Sequence, residues 1–263
     1  MSPLAMIIIG FSIIFISTVL GSALVYCFKG EISNKINTLF LGFASGIMIA
    51  ASVWSLLIPS IESAETSFGK WNFIPAVVGF ILGAAFLVLI DKIVPHFHFG
   101  TNEEEGPSSS LKKSTKLLLA VTIHNIPEGL AVGFAFGAAK AVGNSASYAA
   151  ALGLAIGIAI QNFPEGAAVS LPLKNATGSK NRAFSYGMIS GIVEPIFAIL
   201  GFFLSSAITS LQPWLLAFAA GAMIFVVAED LIPDAKLEEH PHLGTWGVII
   251  GFAVMMVLDV ALG

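Results

Sequence analysis

What most restricts the fold of this chain is that eight of its stretches are apolar enough, and long enough, to cross a lipid bilayer. A hydrocarbon core of about 30 Å takes about 20 apolar residues in a helix, and the runs near 3–28, 38–61, 72–95, 115–139, 146–173, 183–208, 212–233 and 243–262 all meet that length. Only 11% of the 263 residues are charged and 56% are hydrophobic, with a mean hydropathy of +0.90. Soluble domains run near 25% charged. The expected fold is an all-α polytopic membrane protein: one transmembrane domain over 1–263, with eight helices in a compact bundle. The first run has no basic leader and no small-residue cleavage site, so it is expected to be a retained span. No basic patch fits nucleic acid, so the bulk partner is the lipid bilayer. The single Cys27 excludes an internal disulfide.

Orientation follows from the cations, because cytoplasmic loops carry the excess of Lys and Arg. The loops after spans 1, 3, 5 and 7 hold ten of the twelve, and the alternate loops hold only Lys70 and Lys140. Both termini are therefore expected on the extracytoplasmic side. The one long connection, 96–116, is polar and rich in Gly, Ser and Pro, and reads as a flexible cytoplasmic loop. Glycines recur at four-residue spacing, as at Gly42 and Gly46 or Gly129, Gly133 and Gly137, a pattern that lets helix backbones approach closely in lipid.

Two polar islands interrupt the apolar runs: His124-Asn-Ile-Pro-Glu-Gly in span 4 and Gln161-Asn-Phe-Pro-Glu-Gly in span 5. Residues three and four apart share a helix face, so His124, Asn125 and Glu128 point one way, as do Gln161, Asn162 and Glu165. Pro127 and Pro164 cannot donate a backbone hydrogen bond, which frees the carbonyls of Ile123 and Ile160. Span 6 adds Glu194, again followed by a proline. For the two asparagines, ordinary interhelical hydrogen bonding explains their presence as well as ligation does. It does not explain the ionisable groups, since a charge at mid-bilayer costs about 2.5–3.5 kcal/mol even on the lenient insertion scale.

Glu128, Glu165 and Glu194 together would carry a triple negative charge at low dielectric, and no Lys or Arg lies inside a span to offset it. Protons, a divalent metal or two metals must compensate. Imidazole, carboxylate and amide oxygen suit Zn²⁺ or another borderline ion better than Mg²⁺ or Ca²⁺. Met48 lies at similar depth in span 2, where packing is the first explanation of a lone Met, and a thioether would suit a soft divalent ion. Glu62, Glu65 and Asp259 lie near the outer edge and Asp91, Glu229, Asp230 and Asp234 near the inner one; singly each is ordinary interfacial charge, and as a set they would draw cations to a pore. His96, His98, His240 and His242 all fall in cytoplasmic loops and form a weak loop metal signal.

The HNIPEG of span 4, the QNFPEG of span 5 and the IVEP around Glu194 resemble the ZIP (Zrt/Irt-like) divalent-metal transporters, in particular their bacterial GufA-like branch. The resemblance runs over the whole chain. It implies a two-metal centre: His124, Glu128, Gln161 and Glu165, with Met48 as a candidate addition, at one site; Asn125, Glu128, Gln161, Asn162, Glu165 and Glu194 at the other. It further implies gathering of ions at Glu62 and Asp259, release past Glu229 and Asp230, a homodimer, and a place in the cytoplasmic (inner) membrane. Many relatives carry His at the position of Gln161 and some carry Asp at that of Asn162, so this chain has lost an imidazole and a charge.

The function expected is uptake of Zn²⁺, or of Cd²⁺, Fe²⁺ or Mn²⁺, by alternating access. A metal-selective channel or an exporter would use the same ligands. An intramembrane metal-dependent hydrolase needs an open metal position usually built on two histidines, and His124 is the sole histidine in a span, so no enzyme is expected.

Overall fold

A computed structural model describes residues 1–27, 33–97, 104–235, 237 and 239–262. It contains eight helices long and apolar enough to cross a membrane: α1 (Pro3–Cys27), α2 (Asn34–Trp71), α3 (Phe73–Ile93), α4 (Lys113–Val142), α5 (Ser145–Thr177), α6 (Lys180–Ala207), α7 (Thr209–Asp234) and α8 (Pro241–Leu262). This is a multi-pass membrane protein. The other described regular structure is short: β1 (His96–Phe97) pairs antiparallel with β2 (Glu104–Glu105), within the stretch expected as a loop.

The helix ends are set by local chemistry. Ser33, Asn144 and Ser179 cap the starts of α2, α5 and α6, each accepting a backbone N–H from its own first turn. Gly143 and Gly178 close α4 and α5 in the left-handed conformation, at φ of 76° and 65°. Gly143 and Asn144 are the whole connection between α4 and α5. The two helices therefore turn straight back on one another, and their polar islands lie opposite each other.

The prolines act unevenly. α4 runs unbroken through Pro127 and α5 through Pro164 and Pro172, so the two island helices are not discontinuous. One missing backbone bond is tolerated where neighbouring helices support both sides. α6 does break, at Ile192, between helical segments Lys180–Gly191 and Val193–Ala207. Pro195 follows three residues later and cannot bond Gly191, which places Glu194 in the first turn of the second segment. α2 and α7 each contain a wide π turn, over Ser52–Leu57 and Val227–Leu231. In both, the turn closes on an isoleucine followed by proline (Ile58-Pro59 and Ile232-Pro233), and the extra residue relieves the clash between the proline ring and the preceding turn.

The helices pair most tightly as α1 with α5, α4 with α6, α2 with α8 and α3 with α7. Exchanging α1 with α6, α2 with α7, α3 with α8 and α4 with α5 maps this set of pairs onto itself. It also maps one π turn onto the other and one polar island onto the other. Partners in the exchange run in opposite directions, as inverted repeats do. Each tight pair is closed by glycine against backbone: Gly166 lies against the carbonyl of Thr18, Gly129 against that of Glu194, Gly46 against that of Val248 and Gly221 against that of Phe80. The glycine spacing in the sequence thus reports helix contacts.

Two faces result. α4 is the most enclosed of the eight. α1, α3, α6 and α8 turn Ile8, Leu20, Ile81, Leu82, Leu200, Phe203, Ile250 and Val257 outward, which is the lipid-facing surface of such a bundle.

Candidate metal centre

The two islands and Glu194 come together inside the bundle, all of them buried: Glu128 is 1% exposed, Gln161 and Glu194 0%, Asn125 and Asn162 2%, Glu165 7% and His124 9%. The side chains meet as linked pairs. Gln161 Nε2 donates to Glu128 Oε1 at 2.5 Å across the α4–α5 seam. His124 Nε2 lies 3.1 Å from Asp230 Oδ2 on the π turn of α7. Glu194 accepts from Thr18, Asn125 and Asn162. Among the described residues, no three His, Cys, Asp or Glu side chains close round a single point.

What makes the place a candidate cation site is which atoms lack partners. Glu128 Oε2, Gln161 Oε1, Asn162 Oδ1 and Glu165 Oε2 are all buried without a hydrogen-bond donor. Each is an oxygen with lone pairs to offer. A buried polar group without a partner costs about 1–3 kcal/mol, more when charged, so four acceptors in one place ask for a positive ion. Oxygen from two carboxylates and two amides, beside one imidazole, matches the borderline divalent metals.

A cavity of about 490 Å³ reaches this place from one end of the bundle. Its mouth lies between Asn34, Lys113 and Asn175, and its floor is formed by His124, Glu165 and Asp230. Lys113 opens α4 and His124 is eleven residues on, so at 1.5 Å per residue the floor lies about 16 Å deep. Beyond the floor, toward the opposite end, Ile47, Leu56, Phe134, Phe136, Leu154 and Ile158 fill the space as part of one apolar core. The centre is open to one side and sealed on the other.

The other sequence-derived candidates have varied surroundings. Met48 is fully buried and belongs to that apolar core. Glu62 is exposed, as is Glu65. Asp259 takes a hydrogen bond from Ser55 on the π turn of α2, and its Oδ2 has no partner. The expected exit pair separates: Glu229 is exposed, whereas Asp230 is 4% exposed and joins His124. Asp230 is thus set against His124, where both line the cavity. His96 is 1% exposed, with Nδ1 2.8 Å from the carbonyl of Val94 and Nε2 3.6 Å from Asp91, so it is tied down within the loop. His240 is half-buried and His242 exposed at the start of α8; His98 lies outside the described residues.

Sequence reading missed Thr18, whose hydroxyl meets Glu194 at 2.7 Å, and the depth of Asp230. A lone Thr in an apolar run carries no chemical signal. The π turn that aims Asp230 inward is hinted at only by the proline that follows it.

A buried acceptor cluster at the end of a half-channel, inside an inverted-repeat helix bundle, defines a membrane transporter of cations. The family model described as ZIP Zinc transporter matches residues 113–259, and the chain belongs to that family, in its GufA-like branch. It is 38% identical to zinc transporter ZIP11 of Homo sapiens over 323 aligned residues, covering 94% of each chain. It is 35% identical to zinc transporter ZIPB of Bordetella bronchiseptica, covering 95% of this chain and 79% of that one. To zinc transporter GufA of Myxococcus xanthus it is 33% identical, covering 89% and 90%. This is a transport family, so the protein is no enzyme and the hydrolase reading falls away.

Proposed function

We propose that the protein carries Zn²⁺ into the cell across the cytoplasmic membrane, the ion resting between Glu128 and Glu165 in mid-membrane. The observation that carries the reading is the set of four donorless oxygens on Glu128, Gln161, Asn162 and Glu165. Zinc is chosen because the relatives are named zinc transporters and because the donor set is of borderline character. Cd²⁺, Fe²⁺ and Mn²⁺ compete for the same shell.

The mouth of the cavity lies among the Lys-rich loops, which the distribution of Lys and Arg assigns to the cytoplasm. The conformation is then inward-facing, with both termini outside. An ion bound at the donorless Oε2 of Glu128, whose Oε1 stays held by the Gln161 amide N–H, draws Glu165 toward it; Asp230 and His124 form the next station toward the cavity. The apolar seal on the outer side favours a carrier over a channel, because a continuous path requires those helices to part. Asp259, held by Ser55, and Glu62 then act at the outer entrance, and Glu229 and Asp230 act on the way out. Particle size in detergent decides whether two copies associate, as the family resemblance implies.

The test is zinc uptake into proteoliposomes of known orientation, with Cd²⁺, Fe²⁺ and Mn²⁺ as competitors. Saturable uptake is expected in the wild type and loss of it in Glu165→Ala. Undiminished saturable uptake by that variant would end the proposal. A second variant addresses the imidazole. Asp230→Asn removes the charge beside His124, and partners of this kind cost about 10–100-fold when lost. The expected result is at least a tenfold fall in uptake rate at unchanged expression; a rate within twofold of wild type counts against Asp230 as a station.

A further inference from the structure

Glu194 is set apart from the other two carboxylates by its hydrogen bonds. It is completely buried, and both of its oxygens are satisfied. Oε1 accepts from Thr18 Oγ1 at 2.7 Å and from Asn125 Nδ2 at 3.3 Å, and Oε2 accepts from Asn162 Nδ2 at 2.6 Å. It also stands in the first turn after the break in α6, where the helix dipole favours negative charge.

The two amides cannot simply be turned round to offer oxygen instead. Asn125 Nδ2 also donates to the carbonyl of Ser190 at 3.0 Å, and Asn162 Nδ2 to that of Ile14 at 3.4 Å. Each nitrogen therefore faces two acceptors. Turning either amide would set its oxygen against a carbonyl and a carboxylate at once, which buried acceptors do not tolerate. The donorless oxygen of Asn162 is its Oδ1, which makes no hydrogen bond to Glu194.

We infer that Glu194 is not a metal ligand in this chain but a pin, held by Thr18, Asn125 and Asn162, which ties α1, α4, α5 and α6 together and leaves the centre one ion and not two. The inference rests on the proposed zinc site at Glu128 and Glu165 and states its occupancy. Thr18 is a positioning residue: its hydroxyl takes up part of the charge of Glu194 that a second cation would otherwise neutralise. Asn162 acts in the same way, since an aspartate in its place could donate nothing to Glu194 and would itself require a cation.

The experiment is zinc titration of the purified, detergent-solubilised full-length protein, with bound metal counted by mass spectrometry after desalting. One zinc per chain is expected in the wild type, and one in Glu194→Gln with a Kd within about threefold. Thr18→Val is expected to lower Tm while keeping one zinc, with Thr18→Ser restoring the Tm. Asn162→Asp removes a donor and adds a charge, and is expected to raise the count to two, a change that a purely structural role for these residues would not produce. Two zincs in the wild type, falling to one in Glu194→Gln, would overturn the inference, and this reading needs no variant beyond one. Retention of one zinc by Glu128→Ala would instead sink the zinc site itself, so the two failures are distinguishable.

Discussion

Zinc uptake by Glu128→Ala is expected to fall at least about 100-fold in initial rate, because loss of a direct ligand should cost no less than the 10–100-fold associated with the groups that merely support ligands. Glu128 is the acid that Gln161 holds from the neighbouring helix while its second oxygen lacks a donor. On the proposed reading its free oxygen meets the ion while Gln161 aims it through the other. The variant should still fold, because removing a carboxylate from a 1% exposed position also removes its desolvation cost. Two measurements separate a lost ligand from a lost fold. Saturating zinc should raise the Tm of the wild type, since binding at 100 times Kd contributes about 2.7 kcal/mol, and should leave that of the variant unmoved. Glu128→Gln should behave like the alanine variant in uptake; normal transport by either one refutes the role.

The second large effect concerns packing. A Cβ built on Gly221 would fall on the carbonyl of Phe80, and one built on Gly83 on that of Phe218, so α3 and α7 meet backbone to backbone from both sides. Gly221→Val therefore cannot be absorbed by rotating a side chain; the helices must separate. Overpacking typically costs 1–3 kcal/mol, and with backbone as the obstacle about 3 kcal/mol or more is expected. The protein should elute as aggregate in size-exclusion chromatography, or melt well below the wild type. Gly153→Ala is the matched control: its methyl would meet the Leu262 side chain at 3.3 Å, which can move. A monodisperse, wild-type-like Gly221→Val protein would show that the α3–α7 contact is not what holds the bundle.

The eight spans could be read from the chain because hydrocarbon length and hydropathy set them directly, and the island residues because charge in an apolar run has few explanations. Partnerships between side chains were not legible. His124 and Glu128 share a helix face and were expected to act together, yet His124 pairs with Asp230 of a helix more than 100 residues away. Glu194 has the type and depth of a third ligand, and its three donors could not be foreseen from spacing. The prolines were ambiguous in the same way. Pro127 and Pro164 leave their helices intact because packed neighbours surround them, whereas Pro195, Pro59 and Pro233 follow a break or a wide turn. Hydrogen-bond partners and local support arise from the packed bundle, and no spacing rule along the chain encodes them.

The exchange that maps α1, α2 and α3 onto α6, α7 and α8 has a bearing on how the other face of the membrane is reached. On the carrier cycle proposed above, either half already holds, upside down, the posture its counterpart would need once the route opens outward. The second conformation then requires no new vocabulary of contacts, only a trade of roles between near-mirror partners.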